Sequence, residues 1–195
     1  MALNFSNPGK TVIRPAYLAH VVLKTRPSQF KSMVDYYKTF LNAHASYEND
    51  FLSFLTYDEE HHRIAIAALP FVEAPNPKVS GMAHMCFAFK TLEDLALAYC
   101  QRKASGIEPH WCVNHGPTTS MYYRDPDGNE IETQVDNFDS VEEIAAFMEG
   151  PEFAANPIGT DFDPNDLIRR LESGEDEKII KKRVETGPRR DVRMP

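Results

Sequence analysis

The sequence predicts an α+β fold in which two βαβββ modules form a single domain, followed by a helical C-terminal extension. Three observations lead there. An internal repeat sets Tyr17-Leu-Ala-His20-Val-Val-Leu-Lys24 against Gly81-Met-Ala-His84-Met-Cys-Phe-Ala-Phe-Lys90, each a short apolar strand with a histidine near its start. Each copy runs into a helical pattern and then into three short strand-like runs. Between the copies lies Pro70 to Ser80, a proline-rich linker. The domain therefore covers residues 15–136, with modules at 15–70 and 80–136, and the extension covers 137–195.

In the first module the strand at 17–24 leads into a helix over 28–41, with Ser28 placed as its N-cap, and strands follow at 45–48, 51–57 and 62–69. The second module repeats the order. Its strand is at 81–90, its helix over 91–103 with Thr91 and Asp94 spaced like a capping box, and its strands at 108–114, 120–124 and 129–135. Asp125-Pro-Asp-Gly128 is a turn, because Pro126 fixes φ and Gly128 accepts a positive φ at little steric cost. Strand alternation after it places Glu130, Glu132 and Gln134 on one face, with Ile131 and Val135 on the other. Two such modules are expected to keep their helices outside and turn their sheets toward a shared interior. In the extension, helices are expected at 140–148 and 164–173, and Asn156 to Pro164 is expected to act as a lid or a contact with a second subunit. Residues 175–195 are highly charged and poor in aromatics, which predicts partial disorder at the extreme end.

Composition narrows the partners. A chain of 195 residues with a formal charge of −8 and a pI near 5.4 repels nucleic acid and anionic membrane surfaces, so a small organic substrate is the better expectation. No apolar run approaches the roughly 20 residues that span a bilayer, and the first residues lack the apolar stretch of a secretory signal. A cytoplasmic protein is expected. Cys86, Cys100 and Cys112 are odd in number with no CxxC spacing, which predicts reduced thiols in packing roles.

Candidate chemistry gathers around the repeated histidines. His20 and His84 hold matching places, and either alone would ordinarily be read as a hydrogen-bonded core residue. With an inward Glu132 they make two imidazoles and one carboxylate, the open triad of non-haem Fe(II), which Mn(II) would also accept. Glu130 faces the same side and remains the competing carboxylate. His61 and His62 point opposite ways on a strand, so one of them can serve as a proton-handling imidazole. His115 and Tyr122 could both reach an oxygen held by the metal, while His44 and His110 are read as structural. Trp111, Phe54, Met82 and Phe87 are core residues by default, yet apolar enough to hold an aromatic ring.

Taken together, the paired modules, His20, His84 and the Tyr122-Tyr-Arg-Asp-Pro-Asp-Gly-Asn-Glu-Ile-Glu132 segment resemble the vicinal oxygen chelate superfamily of glyoxalases, bleomycin-resistance proteins and type I extradiol dioxygenases. The stretch His61-His-Arg-Ile-Ala-Ile-Ala-Ala-Leu-Pro70 is similar to the double-histidine strand of biphenyl-2,3-diol dioxygenases within it. That resemblance implies Fe(II) on His20, His84 and Glu132, His62 as acid/base, and His115 with Tyr122 as hydrogen-bonding partners of a catecholate. It implies a small aromatic diol and O2 as substrates and a muconic semialdehyde-type product. Having one pair of modules where larger relatives have two, the chain is expected to be a homodimer. Two other readings stand beside it: a metal-dependent isomerase or lyase on the same scaffold, and a non-catalytic protein that binds a small aromatic. Ala65-Ile-Ala-Ala-Leu69 lacks the first-half carboxylate expected of a glyoxalase-type site, which favours the three-ligand reading.

Overall fold

A computed structural model describes residues 6, 10–76 and 78–189. The first module runs β1 (Val21–Thr25), a 3-10 turn (Pro27–Gln29), α1 (Phe30–Leu41), β2 (His44–Glu48), β3 (Leu52–Thr56) and β4 (Ile64–Ala68). The second runs β5 (His84–Ala88), α2 (Leu92–Ala104), β6 (Trp111–Asn114), β7 (Thr118–Arg124) and β8 (Glu130–Asp136). Each module makes a sheet of the same topology, β1-β4-β3-β2 and β5-β8-β7-β6, in which the first strand lies parallel to the last. The repeat read in the sequence is thus a repeat of structure, and in both sheets the histidine-bearing strand is an edge strand.

Thr91 caps α2 as expected, its Oγ1 accepting from Asp94 N at 3.0 Å. Ser28 does not cap α1, because it lies inside the 3-10 turn and Gln29 occupies the N-cap with no side-chain bond. Pro27 explains this. It starts a tight turn one residue before Ser28, and that turn runs directly into the helix. The Asp125 turn forms with Gly128 at φ 87°, and Asp125 Oδ1 accepts from the backbone N–H groups of Asp127 and Asn129.

The helices lie in the seam between the modules rather than on the outside. Helix α1 buries Phe30, Met33, Val34, Tyr37 and Phe40, a stripe broad enough to cover its own sheet and also reach the other module. Tyr37 donates its hydroxyl to Asp125 Oδ2 at 3.0 Å, and Phe40 meets Tyr123 edge-on at 5.0 Å. From α2, the buried Arg102 donates Nε–H to the Phe40 carbonyl at 2.9 Å and lies 3.9 Å over the Phe40 ring. One apolar cluster therefore runs through both modules. The opposite consequence falls on the strands, where His20 just before β1, Val22 and Lys24 on β1, and His84, Cys86 and Ala88 on β5 are exposed.

The extension contains α3 (Val141–Met148), α4 (Pro151–Ala155), β9 (Thr160–Asp161), α5 (Pro164–Glu172) and α6 (Glu177–Ile180). Ser140 and Glu143 form a reciprocal capping box at the start of α3. Asn156 to Pro164 supplies β9, which pairs antiparallel with β6 and lengthens the second sheet to five strands. Up to residue 189 the charged tail is docked, with Ile180 and Arg183 buried, and the disorder expected at the extreme end falls on residues 190–195, outside the described residues. No helix of the described residues is long and apolar enough to cross a membrane.

Candidate active site

The second sheet assembles most of the site. His84 opens β5, and the parallel register with β8 pairs it with Glu130 and Cys86 with Glu132. On this face His84 Nε2 lies 3.0 Å from Glu132 Oε2, and the Glu132 side chain is 7% exposed. Cys86, two residues beyond His84 and so on the same face, sits beside Glu132, and burial and then the Glu132 charge push its thiol above the ordinary pKa. Tyr122 faces Glu132 across the β7–β8 ladder, its ring edge-on to His84 at 5.5 Å. Its hydroxyl lies 3.0 Å from His115 Nε2, and Trp111 stacks on its ring at 4.8 Å. Asp161 of β9 accepts the Trp111 indole N–H at 2.8 Å. Glu130 is engaged elsewhere, 2.7 Å from His110 Nε2, which leaves Glu132 as the carboxylate beside His84.

Electrostatics define what these groups can do. Burial, and then the neighbouring Glu132 charge, push the Tyr122 phenol above its ordinary pKa, so it keeps its proton and remains a donor. Burial holds the His115 imidazole below its ordinary pKa, opposed by the Ile158 carbonyl and Glu132 and reinforced by His84 and Arg183.

The first sheet carries a second cluster. His20 precedes β1 and His62 precedes β4, and their rings lie 4.3 Å apart. His62 is the inward member of its pair, 8% exposed and stacked on Phe54 at 4.6 Å, while His61 is exposed. Burial, and then the charges of His20 and His61, hold the His62 pKa down and favour a neutral imidazole. Arg63 pins the strand leading to His20, its Nη1 donating to the Leu18 and Ala19 carbonyls at 3.1 Å.

Within one chain the two clusters do not merge. Among the described residues, no group of three or more His, Cys, Asp or Glu side chains lies close enough to hold a metal ion. His84 with Glu132 and His20 with His62 are separate pairs. Of the four expected ring-holding residues, Trp111 and Phe54 flank the two clusters; Phe87 instead meets Tyr57 at 6.0 Å across the modules, and Met82 is exposed. Sequence reading missed Cys86, which alternation from His84 would have found, and the His110–Glu130 pair, which reaches across β7 and needs both the β6–β7 and the β7–β8 registers. It also missed Arg183 and the Ile158 carbonyl behind His115, contacts that no local pattern announces.

Paired βαβββ modules, each with a histidine at the head of an edge strand, and a carboxylate beside one of them, define a vicinal-oxygen-chelate protein. The chain belongs to the Glyoxalase/Bleomycin resistance protein/Dioxygenase superfamily, which residues 17–133 match. It is 48% identical over 157 residues to biphenyl-2,3-diol 1,2-dioxygenase 2 of Rhodococcus globerulus, covering 80% of this chain and 82% of that relative. To biphenyl-2,3-diol 1,2-dioxygenase 3 of the same organism it is 45% identical over 169 residues, covering 86% and 88%. A crystal structure of a glyoxalase/bleomycin resistance protein/dioxygenase from Nocardioides shares the fold at a TM-score of 0.51 and 20% identity, over 65% of this chain and 86% of that one.

Proposed function

We propose that this protein is an Fe(II)-dependent extradiol dioxygenase that opens a catechol-type aromatic diol with O2 to a muconic semialdehyde-type product. The observation that carries this reading is the constellation of His84, Glu132, Tyr122 and His115 on one sheet face. Both relatives described above are named as biphenyl-2,3-diol 1,2-dioxygenases, which supports an aromatic diol as the substrate class. The donor set fits the metal, since imidazole nitrogen and carboxylate oxygen suit Fe(II) and would also take Mn(II). His84 and Glu132, joined by His20, would hold it. Bound there, Fe(II) would supply Lewis acidity and pass electrons between diol and O2.

The remaining steps belong to side chains. A neutral His62 can take a proton from a diol hydroxyl and return it later in the reaction. Tyr122 keeps its proton and donates a hydrogen bond to a substrate oxygen, a preorganised interaction inside a partly buried site. Phe54 and Trp111 offer flat apolar surfaces for the aromatic ring.

The working unit in this proposal is a homodimer whose sites are shared. His20 and His62 lie at an edge strand and its neighbour in one sheet, and His84 and Glu132 at the corresponding two strands of the other, so a second copy can bring its first module to this chain's second. Twofold symmetry would then complete two equal sites. Exposed apolar side chains near both edges, including Leu18, Val22 and Met82, support contact there. A cytoplasmic setting belongs to the same reading, supported by three free thiols at Cys86, Cys100 and Cys112.

The test is O2 uptake by anaerobically Fe(II)-loaded protein given catechol or 2,3-dihydroxybiphenyl. Uptake matched by a yellow ring-opened product, and lost in His84→Ala, is expected. Stoichiometric iron without uptake would favour an isomerase or lyase, and no metal binding would favour an aromatic-binding protein.

A further inference from the structure

The C-terminal extension closes behind His115. His115 Nδ1 is in hydrogen-bond contact with the Ile158 carbonyl, and Nε2 lies 3.0 Å from the Tyr122 hydroxyl. A carbonyl oxygen only accepts, so the proton in the first contact sits on Nδ1. In the neutral ring Nε2 then carries the lone pair.

The segment that delivers this carbonyl is built tightly. Asn156, buried at 5% exposure, spans it with two side-chain bonds: Nδ2 donates to Gly159 O at 2.8 Å and Oδ1 accepts from Gly159 N at 2.9 Å. Gly159 sits at φ 117°, and a Cβ there would fall 2.3 Å from Asn114 O and 2.8 Å from His115 Cα. Only glycine lets the segment lie this close to the His115 backbone. Arg183 then fastens both sides. Its Nη1 donates to the His115 carbonyl at 2.9 Å and the Asn156 carbonyl at 2.8 Å, and Nη2 donates to Glu152 O at 3.0 Å. Nε and Nη2 also reach the Glu185 carboxylate at 2.7 and 3.0 Å, so five donor contacts hold the guanidinium while its charge stays compensated. Such a saturated, buried guanidinium has one geometry, and the backbone of His115 shares it.

We propose that the extension is a positioning device for His115: the Ile158 carbonyl, held in place by Asn156, Gly159 and Arg183, accepts a hydrogen bond from Nδ1–H and so keeps the proton there, presenting Nε2 as a hydrogen-bond acceptor beside the Tyr122 donor. Resting on the dioxygenase reading, this assigns the pair opposite tasks toward a half-ionised vicinal diol. In the free protein the Tyr122 O–H donates to Nε2; the diol exchanges that bond for two, its remaining hydroxyl donating to Nε2 while Tyr122 donates to its ionised oxygen. Arg183, Asn156 and Gly159 are positioning residues and touch no substrate.

The test is the histidine tautomer, read by long-range 1H–15N correlation in the full chain labelled with 15N-histidine, with His115 assigned by its loss in His115→Gln. The wild-type protein should show His115 fixed in the Nδ1–H form, while Gly159→Ala should give an averaged pattern and lower kcat/KM about tenfold at unchanged metal content. An Nε2–H or averaged ring in the wild type, which needs no variant to fold, would overturn the proposal. So would a Gly159→Ala protein in which the Nδ1–H form persists unchanged. Because the spectrum requires no turnover, its outcome is read separately from that of ring cleavage.

Discussion

His84 Nε2 and Glu132 Oε2 lie 3.0 Å apart across two parallel neighbouring strands, a diagonal contact in a register that sets His84 against Glu130 and Cys86 against Glu132. Glu130, two residues earlier on the same strand, is drawn to His110. Glu132→Ala should therefore weaken metal binding by at least about 100-fold, while Glu130→Ala leaves it intact. Metal content after gel filtration decides between them; the reverse order would assign the ligand to Glu130.

His62 is buried against Phe54 and held neutral, the state a proton acceptor needs. In His62→Ala, kcat should fall about 100-fold while iron stays stoichiometric. Steady-state kinetics beside metal analysis test this. Full turnover in the variant would remove His62 from the reaction.

Asp125 ties the β7–β8 turn to α1 through Tyr37, and both side chains are buried. Truncation to Asp125→Ala strands the Tyr37 hydroxyl and two backbone N–H groups, at a cost of about 3 kcal/mol. Tyr37→Phe removes one bond and leaves Asp125 its other donors, so about 1 kcal/mol is expected. Urea unfolding midpoints should rank the two variants in that order.

Stability should fall on the acid side through His115. Its folded pKa lies below the unfolded value of about 6.5, so the unfolded chain takes up the proton first as pH drops. The contribution is unaffected above about 6.5 and is lost as pH falls from there to the folded pKa. Glu132 and the Ile158 carbonyl favour protonation while burial, His84 and Arg183 oppose it, and burial dominates. Urea titrations between about pH 7.5 and 5.5 should show a shallower decline in His115→Gln than in the wild type; parallel curves would show that His115 does not titrate in that window.

Much of this fold is legible in the sequence because its information is local. Strand alternation, the Asp125-Pro-Asp-Gly128 turn and the repeated histidine strands each act over a few residues, and each recurs in the structure. The placement of α1 is different. Periodicity marks Phe30, Met33, Tyr37 and Phe40 as one apolar stripe, but it does not say that Asp125 and Tyr123 of the other module cover part of it. The site divides along the same line. His84, Glu132, Tyr122 and His115 can be read from one hairpin and one repeat, and alternation tells that only one of His61 and His62 faces inward. A backbone carbonyl such as that of Ile158 carries no residue signature, and Arg183 reaches His115 across a long stretch of chain.

The most direct test of the shared site is to co-express His20→Ala with Glu132→Ala and measure O2 uptake with 2,3-dihydroxybiphenyl. Each variant alone should be inactive. Mixed dimers should hold one intact site each, returning about a quarter of wild-type activity. A co-expressed pair that forms mixed dimers and stays inactive would contradict the shared site and place His20 with His84 and Glu132 of its own chain.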